Sequence, residues 1–583
     1  MRGLRAALKE HRHFLIVVTL LTLVMTYPTI EYVFRTDVFA LPAEGSKDVY
    51  VKLWDIWYGE KIITGKADRN YTDLIFYPEG VSLARHTIFL LHGVVASGLK
   101  LLMPLANAFN LARLLLVFSC ALAAYIYFSW LFKDKWIALF GAVIFGLSPF
   151  ATSQGNWPNV GWIAPLPLVI YCLHRGLRER RAGLTVVGGL LAGLSHDASW
   201  YFYVVVMITL VLVLAGLALS RWRDRGFWRL LGLLIAAVAL STAIGAVPLL
   251  QEVEDLESAM QFYERGEGKF DLVWFIANPD HPVLGGPAKS LFEAARAVNY
   301  SAVHYLGILP LMLAVGAPFS SASRRNALAW LCLGLAFAAL ALGSTLMVDG
   351  IEYENIKLPK HYLNKALPFA FEAFQATGLF MPGVILPLAI LASFGLRNLQ
   401  RRYPAAARPG FILLFIAFVA FEYYVPKQMG FSDPITGNPF HKERLAFVDW
   451  LKQEEEQAIR LINLPTEFVN SKVYLFYQSL HGFPQTEGGI SRPPDSVYDY
   501  FRANPVFSIW LEQRPTNCVI QDRAEYLAGM TQLAEDGFTH VIHHYGFYFW
   551  QRHIENFRYV DPAYSDDYVG IYRLDDMLKS CPG

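Results

Sequence analysis

Charge is what this sequence has least of. Asp, Glu, Lys and Arg make up 17% of its 583 residues, where soluble proteins carry about a quarter. The signs nearly cancel, 50 Lys+Arg against 49 Asp+Glu, so no global field exists to collect a nucleic acid. Five cysteines do not make a disulfide framework, and 43 glycines are far too few for a collagen-like chain. No P-loop and no G-x-G-x-x-G follows a strand pattern, which excludes a nucleotide-driven cytoplasmic engine. No repeat of solenoid period is present. What the chain does have is apolar surface: 54% hydrophobic residues and a mean hydropathy of +0.33. Disorder is excluded. A polytopic α-helical membrane protein with room for one soluble domain remains.

The N-terminal MRGLRAALKEHRHF is a basic head on an apolar stretch with no small-residue cleavage site, and reads as an uncleaved signal anchor. Ten further apolar runs follow, at 110–132, 136–150, 157–173, 183–195, 199–219, 227–250, 303–318, 327–348, 378–396 and 410–424. Several are shorter than the roughly 20 residues of a span, so their flanks complete them. Residues 87–105 are apolar enough to cross as well, and counting them would invert everything downstream. The positive-inside rule arbitrates. If 87–105 does not cross, KDK at 133–135, HRGLRERR at 174–181, SRWRDR at 220–225, SRR at 323–325 and RNLQRRYPAAAR at 397–408 all face the cytoplasm, while the loops at 148–156 and 196–199 carry no Lys or Arg. The expectation is eleven crossings in the plasma (inner) membrane, a cytoplasmic N-terminus, and an interfacial helix at 87–105 inside a long first outer loop, 35–108. Two more outer loops lie at 251–302 and 349–377.

Composition changes after Tyr424. Residues 1–426 form the expected transmembrane domain and 427–583 an extracytoplasmic domain of α/β or α+β type. Within it HKERLAFVDWLKQEEEQ reads as an amphipathic helix, and AIRLINLP, THVIHHY and YVGIYRL as strands. Cys120, Cys172 and Cys332 sit in apolar runs and read as buried packing residues. Cys518 and Cys581 lie in the polar region, where a bridge is open if that region is extracytoplasmic.

Ionisable residues concentrate at the outer boundary. In DVYVKLWDIWYGEK, Asp48, Lys52 and Asp55 share one helical face and Trp54 and Trp57 another. The plain reading is a first-turn carboxylate complementing the helix dipole, beside an interfacial aromatic belt. His196–Asp197 sits where a span meets the outer interface; an ionisable pair there is a functional candidate, and Asp197 as a helix cap is the alternative. Asp280–His281, in NPDHPVLGG, reads as a rigid corner or a site. Lys360, His361 and Lys365 offer cations in the third outer loop. His540, His543 and His544 have no metal-consensus spacing, and on a strand His540 and His543 face opposite sides.

In order along almost the whole chain, DVYVKLWDIWY, TDLIFYPEGVSLARHT, FGLSPF, HDASWYF, NPDHPVLGG, LALGSTLMVDG, YQSLHGFPQTEGGISRPP and DDYVGIYRL resemble the GT-C superfamily of membrane glycosyltransferases. That resemblance implies a donor sugar on a polyprenyl phosphate, an extracytoplasmic acceptor (glycan, lipid or protein), and an inverting transfer. It makes Asp48 the general base, with Asp197 as the second catalytic candidate. His86, His196, Asp280, His281, Lys360 and His361 become candidates for substrate binding. The leaving phosphate would be offset by Arg/Lys or by a divalent metal, Mg or Mn; no metal ligands are assigned. Two departures stand: SPFATSQGNWPN lacks a second acid, and FEAFQATGLFMPG is uncharged after Glu372. The competing readings are a polytopic carrier or flippase, and a GT-C fold without activity serving in assembly. A carrier places its ionisable sites near mid-membrane, whereas here they gather at one face.

Overall fold

Backbone polar groups in lipid have only each other as partners, so long apolar runs close on themselves as helices. The computed structural model describes residues 11–34, 48–84, 86, 88–153, 158–250, 270–296, 302–319, 324–367, 377–425, 445–454, 458–466, 468–490, 493–511, 523–545 and 560–580. Cys518, Cys581 and Glu372 lie outside them. Among the described residues five helical spans are long and apolar enough to cross a membrane: Asn107–Phe132, Asn159–Glu179, Trp200–Arg221, Arg225–Gly245 and Thr377–Arg402. Arg12–Met25, Lys135–Gly146, Ile308–Phe319 and Pro409–Tyr423 are shorter apolar helices. The run at 183–195 gives the helix Ala182–Leu194.

The chain divides into two compact units. One comprises Met1–Glu31, Leu111–Val247 and Phe262–Lys427; the other comprises Tyr32–Asn110, Pro248–Gln261 and Gln428–Gly583. Residues 32–110, grouped mainly with the transmembrane domain in the sequence reading, fall in the unit that also holds residues 428–583.

In the first unit, the helix Met381–Arg402 is buried without interruption from Met381 to Leu396. Its neighbours come close because glycine lets them: a Cβ on Gly395 would stand 2.0 Å from the Leu313 carbonyl oxygen. The run at 327–348 does not stay helical. The helix Arg324–Ala341 ends before Gly343–Ser344, and Thr345–Val348 pairs antiparallel with Ile351–Lys357. Asp349 and Gly350 both have positive φ, 51° and 82°, the conformation of a type I′ hairpin. Asp271 fixes that turn, its carboxylate accepting from the Asp349 and Gly350 amides at 3.0 and 2.7 Å. Cys120 and Cys172 are buried as expected, but Cys332 is exposed, on the outward side of its helix.

In the second unit, the helix Asp48–Ile63 is followed by a short antiparallel pair, Tyr71–Thr72 with Val81–Ser82, and by the helix Leu90–Lys100. At 11 residues this last helix is about 16 Å long, short of the roughly 30 Å hydrocarbon core, so by itself it does not cross. It is also shorter than the expected 87–105. The C-terminal helix and strands form where periodicity put them: Ala446–Gln453, then Leu461–Leu464, His540–His544 and Val569–Arg573. The sheet runs Leu461–Leu464, His540–His544, Val569–Arg573, Tyr564–Ser565. Its first pair is parallel and the other two are antiparallel. A parallel pair requires a long crossover, and the helices Phe468–His481 and Arg523–Glu535 lie within it. Val51, Trp54, Tyr58, Ile75 and Phe76 share one apolar core with Leu475, Ile490 and Val497.

Candidate active site

The helix carrying Asp48 is not amphipathic. Nearly every residue from Val49 to Gly59 is buried, so Trp54 belongs to the core and to no aromatic belt. Its ring stacks on Tyr58, centroids 4.6 Å apart, and its Nε1 donates to Gln478 Oε1 at 2.7 Å. Gln478 in turn donates to the Leu74 carbonyl, as does the Gln485 amide, while the Tyr77 amide donates to the Gln485 carbonyl. The loop-one helix is therefore clamped on the helix Phe468–His481.

That clamp positions a charge pair. Asp48, in the first turn of its helix, accepts from Lys472 Nζ at 2.5 Å, the side chains 27% and 20% exposed. The fit depends on the TEGG segment: a Cβ on Gly489 would stand 2.5 Å from Lys472 Cγ. Among the described residues no three His, Cys, Asp or Glu side chains are arranged to hold a metal.

Two turns along, the same face forms a buried network. Asp55 accepts from Lys52 Nζ at 2.6 Å and from His86 Nε2 at 2.7 Å, the His86 side chain being 0% exposed. Burial pushes the Asp55 carboxyl up, but the Lys52 and His86 charges and hydrogen bonds outweigh it and hold the group below its ordinary range. His86 is thus a buried, hydrogen-bonded anchor ahead of the helix Leu90–Lys100.

The other site residues belong to the first unit. His196 is buried and stacked on Trp200, centroids 5.0 Å apart, in the short 3₁₀ turn Ser195–Asp197. Asp197 is half-buried in that turn, while the N-cap position of the next helix is Ser199. His281 holds a corner: Nε2 donates to the Phe421 carbonyl at 2.7 Å and Nδ1 accepts from the Val283 and Leu284 amides. Asp280 beside it is exposed. Lys360 is buried on the helix Pro359–Ala366, with His361 half-buried next to it.

Lys472 escaped the sequence reading because nothing in a helix period links it to a residue 424 positions earlier. Glu487 escaped it too. It is buried, its Oε2 accepting from Thr486 Oγ1 at 2.6 Å. Burial pushes its carboxyl up to about 8, against the hydrogen bonds of Thr486 and Asn463. Between the ordinary 4.5 and about 8, the folded chain holds a proton that the unfolded chain has released. Stability therefore falls as pH rises through that window and levels off above it. Glu487→Gln keeps the shape of the neutral acid and removes the linkage. Scanning fluorimetry should show the variant gaining in Tm over the parent from pH 5 to pH 8; an unchanged difference would show that Glu487 does not titrate there.

No family model and no curated protein matches this sequence. Likeness appears in the structure. Arabinofuranosyltransferase AftD from Mycobacteria aligns at a TM-score of 0.52 and 14% identity, over 97% of this chain and 41% of that one. The chain is similar to that membrane arabinofuranosyltransferase in fold. ArnT from Cupriavidus metallidurans, bound to undecaprenyl phosphate, aligns at 0.42 and 14% identity, over 97% of this chain and 98% of that one. The oligosaccharyltransferase AglB from Archaeoglobus fulgidus, with an inhibitory peptide and a dolichol-phosphate, aligns at 0.47 and 10% identity, over 92% of this chain and 70% of that one.

Proposed function

We propose that the protein is an integral-membrane glycosyltransferase that moves a sugar from a polyprenyl-phosphate donor to an extracytoplasmic acceptor. The reading places eleven crossings in the plasma membrane, the N-terminus in the cytoplasm and the C-terminal domain outside. The observation that carries it is Asp48: a carboxylate in the first turn of the helix Asp48–Ile63, held by Lys472 in a chain of GT-C-like fold. In this reading Asp48 takes the proton of the acceptor hydroxyl as that oxygen bonds to the anomeric carbon. The bond from that carbon to the phosphate breaks, the phosphate leaves with the electron pair, and the configuration inverts. Asp197 is proposed as a second catalytic residue, and His86, His196, Asp280, His281, Lys360 and His361 as substrate-binding residues. Of these His281 has both ring nitrogens engaged in its corner, so a role for it in binding is confined to shape.

The test is transfer of a radiolabelled sugar from a polyprenyl-phosphate donor to a membrane acceptor fraction by the purified full-length protein. Labelled acceptor is the expected result. Movement of the intact donor between leaflets of a vesicle, with no labelled product, would overturn the reading in favour of a carrier.

A further inference from the structure

Two candidate membrane spans end in arginine-bearing turns. Pro165–Glu179 closes with Arg178, and Met381–Arg402 closes with Arg397 one turn before Arg401. The three side chains meet at a cavity of about 200 Å³, with His174, Asn326 and Asn398 among its other linings. No carboxylate lines it. Glu179, next in sequence to Arg178, pairs with Arg175 and Arg181, and Asp224 pairs with Arg180. Arg178 lies over the Trp130 ring, its guanidinium carbon 5.9 Å from the ring centroid. Three like charges converging without an acid repel one another, and an anion between them would remove that cost.

A second cavity, of about 580 Å³, shares Asn398 and Arg401 with the first and is otherwise mainly apolar, lined by Met312, Leu313, Phe319 and Leu399. Met312 and Phe319 are 68% and 85% exposed. A guanidinium-lined pocket opening on an apolar groove at the end of membrane helices has two parts, one matching a phosphate and one matching hydrocarbon. Basic pockets between transmembrane helices take anionic lipid headgroups on the cytoplasmic side, and these arginines belong to the basic loops that the positive-inside rule assigns there.

We infer that Arg178, Arg397 and Arg401 bind the phosphate of an anionic membrane phospholipid whose acyl chain lies along the Met312–Leu399 groove. Bidentate guanidinium contacts suit a phosphate better than single ammonium charges do. The site is independent of the transfer chemistry.

The test uses the full chain in nanodiscs of phosphatidylcholine alone or with phosphatidylglycerol, reading retained lipid by native mass spectrometry. The parent should keep phosphatidylglycerol in preference to phosphatidylcholine. Arg397→Gln with Arg401→Gln should weaken that preference about thirty-fold, at the strength expected of two basic residues at a lipid surface. The corresponding Lys pair, which keeps the charges but not the bidentate geometry, should fall between the parent and the Gln pair, and melting in phosphatidylcholine alone reports that each variant is folded. An unchanged preference in the Gln pair would overturn the site. So would stabilisation by millimolar inorganic phosphate with none by phosphatidylglycerol, since that would make the ligand a free anion and not a lipid.

Discussion

Asp48→Asn is expected to slow sugar transfer by about 10²- to 10⁴-fold while the protein keeps its fold. The amide preserves the size of the side chain and an oxygen that can still accept from Lys472, but it cannot take a proton. The two consequences differ in scale, which makes them separable. A partly exposed ion pair contributes about 0–1 kcal/mol to stability, so the melting temperature should move by a few degrees at most. A loss of 10²- to 10⁴-fold in rate corresponds to about 3–5 kcal/mol at the transition state. Lys472→Met is the companion variant. It removes the same ion pair but leaves the carboxylate, so a loss as severe as that of Asp48→Asn would mean that the pair as a whole, and not the base, limits the rate. Near-normal transfer by Asp48→Asn removes Asp48 from the mechanism. Abolition by Asp197→Asn alone, with Asp48→Asn active, moves the base to the other unit.

What the sequence could and could not say divides along contact range. Apolar runs report helices because lipid or core burial acts on each segment by itself, and 199–219 became Trp200–Arg221 almost residue for residue. The strand THVIHHY was legible for the same reason. The run at 327–348 misled because hydropathy alone cannot tell a helix from the hairpin strand that follows it. The Asp349–Gly350 dipeptide, a hairpin signal, marked the difference. The helical face of Asp48, Lys52 and Asp55 was visible as spacing, and its Lys52–Asp55 contact is real. That Asp55 meets His86 across 31 residues, or that Asp48 meets Lys472, depends on packing that no local period encodes. The aromatic residues misled in the other direction. Trp54 has the composition of an interfacial belt, but a buried hydrogen bond to Gln478 and a stacked Tyr58 make it core.

Asp55→Ala should destabilise the outer-loop unit by about 3–5 kcal/mol, the usual cost of removing one partner from a buried charge network. The deletion leaves the Lys52 ammonium, its side chain 9% exposed, without the acid described here, and takes from His86 Nε2 its carboxylate. Asp55→Leu combined with Lys52→Met should recover much of the loss, because an apolar pair of similar volume carries no desolvation penalty. The pH dependence has a definite sign. The folded Asp55 carboxyl lies below its ordinary 3.8, so the unfolded chain takes up the proton first. The stabilisation is therefore complete above that ordinary value and is lost as pH falls through the lower folded one. Melting of the parent should drop steeply below about pH 4, and Asp55→Asn should lack the part of that drop owed to this group. Limited proteolysis at residues 64–70, the exposed turn after the helix, would report the local opening. A cost under about 1 kcal/mol for Asp55→Ala, the scale of a surface pair, would show that water reaches the network. Because Asp48 and Asp55 share one helix, the same variant connects stability to function. If the helix frays on losing Asp55, the carboxylate of Asp48 loses its fixed position against Lys472, and transfer should decline with the unfolding of this unit even though the proposed base is intact.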